Sequence, residues 1–195
     1  MVDPKIPPHG QLWVADDANV PLLVVFGGKP VAHVRSGIYM WNYMTTALKA
    51  KFHIFVAAGM NVKGTESYRI VMQTLKEHGA TPSRQILYLF SGGWLPGMDL
   101  LGSCDPDLFS SIYLVDIWMG QDDKGSFRVA DFYKALADKN RAKLHYIFTK
   151  GGAENAEARD YIADKAGPRA IFAKDGDHMG TNNIAIGALL HELTP

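Results

Sequence analysis

Short apolar runs rich in β-branched and aromatic residues alternate along this chain with longer stretches whose apolar residues recur every three or four positions. The first pattern is that of buried strands and the second that of helices with one covered face. Leu12–Ala15, Pro21–Phe26, Phe52–Ala57, Ile86–Phe90, Ile112–Val115, Leu144–Phe148 and Ala170–Ala173 read as strands. Several are apolar on both faces, as parallel strands covered by helices on each side are. Helical stripes are marked by Ile38, Trp41 and Leu48; by Tyr68, Met72 and Leu75; by Val129, Phe132, Tyr133 and Leu136; by Ala158, Tyr161, Ile162 and Ala166; and by Ile186, Leu189, Leu190 and Leu193. Thr65, Ser126 and Thr181 are placed to cap helix starts, and Gly79 and Gly167 to end helices. Strict alternation of β and α predicts a three-layer α/β/α sandwich around a mostly parallel sheet, joined by right-handed crossovers. Residues 1–10, with Pro7 and Pro8 in succession, read as an extended N-terminal segment, and residues 11–195 as one domain.

Composition narrows the function classes. The 195 residues carry 20 Lys and Arg against 20 Asp and Glu, a net charge of zero. Without a global positive field, a phosphate backbone or an anionic lipid surface has little to be drawn to, so no nucleic-acid partner is expected. No uncharged apolar run is long enough to span a membrane. Cys104 stands alone, which excludes an intrachain disulfide and gives no zinc-ligand spacing. A reducing compartment such as the cytoplasm fits that count, and the sequence MVDPKIPPHGQ lacks the apolar stretch of a secretory signal. No metal or organic cofactor is implied.

In parallel α/β sheets ligands bind beyond the carboxyl ends of the strands, so the residues just after each strand are the informative ones. Gly27-Gly28 follows the second run, Ser91-Gly92-Gly93 the fourth, and Asp116 the fifth. Gly151-Gly152-Ala153-Glu154 follows the sixth and Asp175-Gly176-Asp177-His178 the last. A serine, two acids and a histidine thus occur in chain order, each at its own strand end. A neutral hydroxyl is a poor nucleophile and needs an adjacent base, which makes Ser91 and His178 a candidate pair for acyl transfer. His53 and His145 fall inside strand patterns, and the other histidines have no comparable placement.

In this order of nucleophile, acid and histidine the chain resembles the α/β-hydrolase superfamily, over roughly residues 21–193. The superfamily's turn reads G-x-S-x-G; here Leu89-Phe90-Ser91-Gly92-Gly93 keeps the second glycine and carries Leu89 in place of the first. Pro96-Gly97 is expected to shorten or displace the helix that follows. The resemblance implies Ser91 as nucleophile, His178 as base, and either Asp116 or Glu154 as the acid. Asp116 looks like lipases whose acid follows the strand after the nucleophile; Glu154 holds the commoner position, one strand later. It also implies an oxyanion hole made by the amide of Gly92 and one from the Gly27-Gly28-Lys29 loop.

Trp94, Leu95, Met98, Trp118, Met119 and Met179 follow the strands or the histidine and are candidates to contact the apolar part of a substrate, with Trp94, Trp118 and Met179 foremost. The same residues could instead cover the sheet end or form a homodimer patch. The expected activity is hydrolysis of a small-molecule carboxylic ester or thioester through an acyl-enzyme on Ser91. At 195 residues there is no insertion long enough for a cap domain. An amidase or peptidase would use the same groups, and a catalytically silent α/β domain binding a small molecule, carbohydrate or protein at the strand ends is the alternative of another class. Neither G-x-G-x-x-G nor G-x-x-x-x-G-K-[ST] occurs, which counts against nucleotide binding.

Overall fold

The computed structural model describes residues 5–6, 9–27, 36–121, 125–126, 128–150, 155–174 and 177–192. The chain divides into two compact units, Met1–Ser110 and Ser111–Pro195. In the first unit the strands are β1 (Lys5–Ile6), β2 (Gly10–Trp13), β3 (Leu22–Phe26), β4 (His53–Ala57) and β5 (Gln85–Phe90). They are joined by helices α1 (Ser36–Leu48) and α2 (Gly64–Glu77), and β5 leads into α3 (Trp94–Ser103). β4 and β5 pair in parallel with β3 on its two sides, while β2 runs antiparallel to β4 and β1 antiparallel to β2. β3 and β4 are buried at every residue, as their continuous apolar sequences predict. Met40, Met44 and Leu48 of α1, Val71 and Leu75 of α2 and Leu100 of α3 are buried with them. The short strand at Lys5–Ile6 falls within the segment read from sequence as merely extended.

The start of α2 depends on glycine. A Cβ on Gly64 would fall 2.0 Å from the carbonyl oxygen of Pro96, so the start of α2 lies directly against the backbone of α3. The same junction is tied by polar groups: Asp99 Oδ2 accepts the Thr65 amide at 2.9 Å, and the Thr65 hydroxyl donates to the Asp99 carbonyl at 3.0 Å. Thr65 therefore lies inside α2, not at its cap, and Asp99 takes the capping role from a distant part of the sequence. Gly79 (φ 70°) and Gly167 (φ 57°) end helices as expected.

The second unit holds β6 (Ser111–Val115), α4 (Arg128–Lys139), β7 (Leu144–Phe148), α5 (Ala156–Ala166), β8 (Ala170–Phe172) and α6 (Thr181–Glu192). Its three strands are parallel, in the order β6-β7-β8. Residues of alternate parity face opposite sides of such a sheet. Ser111, Tyr113 and His145 face α6, since Glu192 at that helix's end accepts from the first two and lies 3.8 Å from the third. Tyr146 faces the other side, where the charges of Arg159 and Asp160 in α5 act on it. Its hydroxyl is buried with no hydrogen-bond partner among the described residues, and burial pushes its pKa well above the usual tyrosine range. Helices on both faces of parallel strands are the α/β layering that the alternation predicts. Among the described residues no helix is long and apolar enough to cross a membrane.

His53 is fully buried in β4, accepting the Ala15 amide at Nδ1 (3.1 Å) while its Nε2 lies 3.2 Å from the Ala18 carbonyl oxygen. An Nδ1 acceptor fixes the neutral tautomer with its proton on Nε2. Burial holds the pKa of His53 below the ordinary 6.5. The unfolded chain therefore binds the proton more readily than the folded one, so the His53 contribution is complete above pH 6.5 and is lost as pH falls below it. His145 is displaced in the same direction, chiefly by burial. Urea unfolding measured between pH 7.5 and 5 is expected to show stability falling with pH, with a shallower fall in His53→Asn. A slope unchanged by that substitution would assign the effect elsewhere.

Candidate active site

Ser91, the candidate nucleophile, lies in the first unit. β5 ends at Phe90, and Ser91 follows with φ 51° at the head of a 3₁₀ turn, Ser91–Gly93, that runs without a break into α3. A non-glycine residue held in this left-handed region costs about 1–3 kcal/mol and persists only where its surroundings impose it. Here the imposing contact is at Gly93: a Cβ there would fall 2.1 Å from the carbonyl oxygen of Phe26 at the end of β3. The turn is thus pressed onto a neighbouring strand, and only glycine permits it. Leu89, which replaces the superfamily's first glycine, is fully buried in β5 and does not prevent the left-handed turn two residues later. The α-helix begins three residues after Ser91 and runs for ten residues, with Pro96-Gly97 inside it. Pro96 is the third residue of α3, where the missing amide is one that no helical carbonyl would have paired. Gly92, next after the serine, is buried. Gly28 and Lys29 lie outside the described residues.

Asp116 and His178, the candidate acid and base, lie in the second unit. Asp116 directly follows β6, with its amide still bonded to the Ile147 carbonyl at 2.7 Å and its φ at 44°. Among the described residues, Ser91 and Asp116 are the two non-glycine positions with positive φ. The Asp116 side chain is fully buried and fully engaged. Its Oδ1 accepts the Thr149 amide at 2.8 Å, and the Thr149 hydroxyl lies 3.0 and 2.9 Å from Oδ1 and Oδ2. His178 Nδ1 donates to Oδ2 at 2.6 Å. With its proton on Nδ1, a neutral imidazole presents an unprotonated Nε2, the state a general base needs. The His178 side chain is 45% exposed, so the ring remains accessible from solvent while its partner is not.

The loop around His178 is held to the start of α6. The Thr181 hydroxyl donates to the His178 carbonyl at 2.8 Å, Asn182 Nδ2 donates to that of Met179 at 3.2 Å, and Asp177 accepts the Gly180 amide. Asp177 is therefore spent within its own turn. Thr181, expected from sequence to be the cap, is the first residue of the helix and acts as a tie from inside it.

Glu154, the rival acid, and Asp175 lie outside the described residues. Of the apolar candidates, Trp94, Leu95 and Met98 are half-buried in α3; in the second unit Trp118 is half-buried and Met179 is 38% exposed. Met119 is completely buried and belongs to the core. Sequence reasoning missed Thr149. The signal was there, because it is the first polar residue after the apolar run 144–148, and a buried carboxylate at the neighbouring strand end demands a donor. Among the described residues, no group of three or more His, Cys, Asp or Glu is arranged to hold a metal ion. An open cavity of about 470 Å³ beside the β4–α2 loop is lined by His9, Met60, Asn61 and Glu66 among others and includes none of the candidate residues.

No protein-family model matches this sequence, and no curated protein matches it. Solved structures do. FphF, a fluorophosphonate-binding serine hydrolase of Staphylococcus aureus, is 13% identical with a TM-score of 0.55 over 100% of this chain and 97% of its own. The siderophore hydrolase EstB from Aspergillus nidulans is 13% identical, with a TM-score of 0.52 over 91% of this chain and 87% of its own. The N-acyl homoserine lactonase AidH is 10% identical, with a TM-score of 0.51 over 95% and 94%. The chain has the α/β-hydrolase fold.

The backbone strain at Ser91 is measurable without a substrate. Ser91→Gly is expected to be more stable than Ser91→Ala by about 1 kcal/mol, since only the first relieves the left-handed conformation. Gly93→Ala is expected to lose about 2–3 kcal/mol, as a methyl group is forced onto the Phe26 carbonyl. Urea denaturation of the three variants checks both, and equal stabilities for the two Ser91 variants would show that the turn is unstrained.

Proposed function

We propose that this chain is a serine hydrolase that cleaves carboxylic ester or thioester bonds through an acyl-enzyme on Ser91. The observation that carries the reading is the pairing of a buried, threonine-bound Asp116 with His178 in a chain whose β5-to-α3 turn holds Ser91 in a left-handed conformation. Three solved proteins of the same fold are named as hydrolases, one of them a fluorophosphonate-binding serine hydrolase.

In this mechanism His178 Nε2 takes the proton of the Ser91 hydroxyl as Oγ attacks the acyl carbon. Asp116 holds the ring in the tautomer that leaves Nε2 unprotonated and stabilises the imidazolium that forms. The tetrahedral oxyanion is received by the Gly92 amide and by a second amide from the Gly27-Gly28 loop, with Gly28 the candidate. Collapse expels the alkoxide or thiolate, which takes the proton back from His178 and leaves the acyl group on Ser91. A water molecule, deprotonated by His178 in turn, then releases the acid. Asp116 is preferred to Glu154 as the acid because it is the carboxylate bonded to Nδ1. Trp94, Trp118 and Met179 are the proposed contacts for an apolar portion of the substrate.

A fluorophosphonate probe is expected to label the wild-type protein and not Ser91→Ala. Absence of labelling in the wild type, or equal labelling of the variant, would sink the reading and leave a catalytically silent binding domain. For the acid, Asp116→Asn is expected to lower kcat on a short p-nitrophenyl ester by about 10³–10⁴-fold. Glu154→Gln is expected to stay within a few-fold of wild type, and the reverse pattern would move the acid to Glu154.

A further inference from the structure

The end of α6 away from His178 carries a second, partly buried polar cluster that the proposed mechanism does not use. Glu192, the last residue of α6, accepts the Ser111 hydroxyl at Oε1 (2.6 Å) and the Tyr113 hydroxyl at Oε2 (2.8 Å). Ser111 is 4% exposed and Tyr113 fully buried, so both hydroxyls make these bonds away from water. His145 of β7 stacks on Tyr113 with ring centroids 4.2 Å apart and lies 3.8 Å from Glu192 Oε2. Ser111 begins β6, and the residue after the end of β6 is Asp116.

Strand and helix therefore form a closed ring. β6 leads from Ser111 to Asp116, Asp116 accepts from His178, the His178 loop is tied to the start of α6, and α6 returns to Ser111 through Glu192. The lengths agree. From Ser111 to Asp116 the strand advances five residues, or about 16 Å at ~3.3 Å per residue. From Thr181 to Glu192 the helix advances eleven residues, or about 16 Å at ~1.5 Å per residue. A helix matched to its strand at both ends can slide at neither without breaking a charge-assisted hydrogen bond at the other.

We infer that Glu192 is a positioning residue for His178. Clamped by Ser111 and Tyr113, it sets the register of α6 along β6 and so delivers the imidazole to Asp116. The link to catalysis rests on the hydrolase reading above, whereas the register itself is a property of the second unit. Misplacement of a catalytic group by about 1 Å costs roughly a hundredfold in rate. Glu192→Ala is therefore expected to slow fluorophosphonate labelling of Ser91 by tenfold or more. Glu192→Gln, which keeps one acceptor oxygen, is expected to restore part of that loss.

The readout that a general loss of stability would not produce is nuclear magnetic resonance of the histidines. In Glu192→Ala the His178 ring signals are expected to move toward those of an unpaired imidazole, while those of His53 stay in place. Ser111→Ala combined with Tyr113→Phe attacks the same clamp from the strand side and serves if Glu192→Ala does not fold. Unchanged His178 signals in either folded variant would overturn the inference, whatever the labelling rate. If the wild-type protein is not labelled at all, the hydrolase reading fails and the His178 signals alone decide: a shift supports the clamp and no shift overturns it.

Discussion

A carboxylate removed from water has to be given back its hydrogen bonds, and Asp116 is the place where this fold meets that demand. Its side chain is fully buried, and an unpaired charge there would cost several kcal/mol. Three groups answer it: an amide and a hydroxyl from Thr149 at the end of the next strand, and the imidazole of His178. These donors come from two places, the end of β7 and the loop before α6, so the pairing of β6 with β7 and the docking of α6 are coupled through one side chain. The left-handed φ of Asp116 belongs to the same requirement, since it ends the strand where the carboxylate must meet donors from two directions.

Much of this was legible in the sequence, and for identifiable reasons. The strands of the parallel sheets are continuous apolar runs, which is what burial on both faces looks like in one dimension, and their bounds were read to within a residue or two. Ser91 and Asp116 were visible because each directly follows an apolar run, and His178 because it lies in the short polar loop between the last run and the last helix. The choice between Asp116 and Glu154 was not legible, because it depends on which carboxylate the histidine ring reaches, and that is decided by tertiary packing.

What sequence reasoning got wrong followed from treating local signals one at a time. Pro96, expected to shorten or displace the helix, is accommodated at the third position of α3. Thr65 was read as a cap from its type, but the cap is supplied by Asp99 from another helix. Leu89 departs from the superfamily's pattern at the turn. The contact that requires glycine is at Gly93, where the backbone of β3 stands in the way of any side chain. Glu192, at the end of a helix, carries no sequence mark of its role, because its partners Ser111 and Tyr113 are some 80 residues away.

The Asp99 cap also bears on the order in which the chain can mature. Residues 64–77 leave the ribosome well before residue 99, so the first turn of α2 emerges without the carboxylate that satisfies its Thr65 amide. Gly64 likewise lacks the Pro96 carbonyl that it is shaped to touch. The beginning of that helix is completed only when α3 arrives, by which time the turn bearing Ser91 has been made. Two contacts of one early segment are thus made in a single later step.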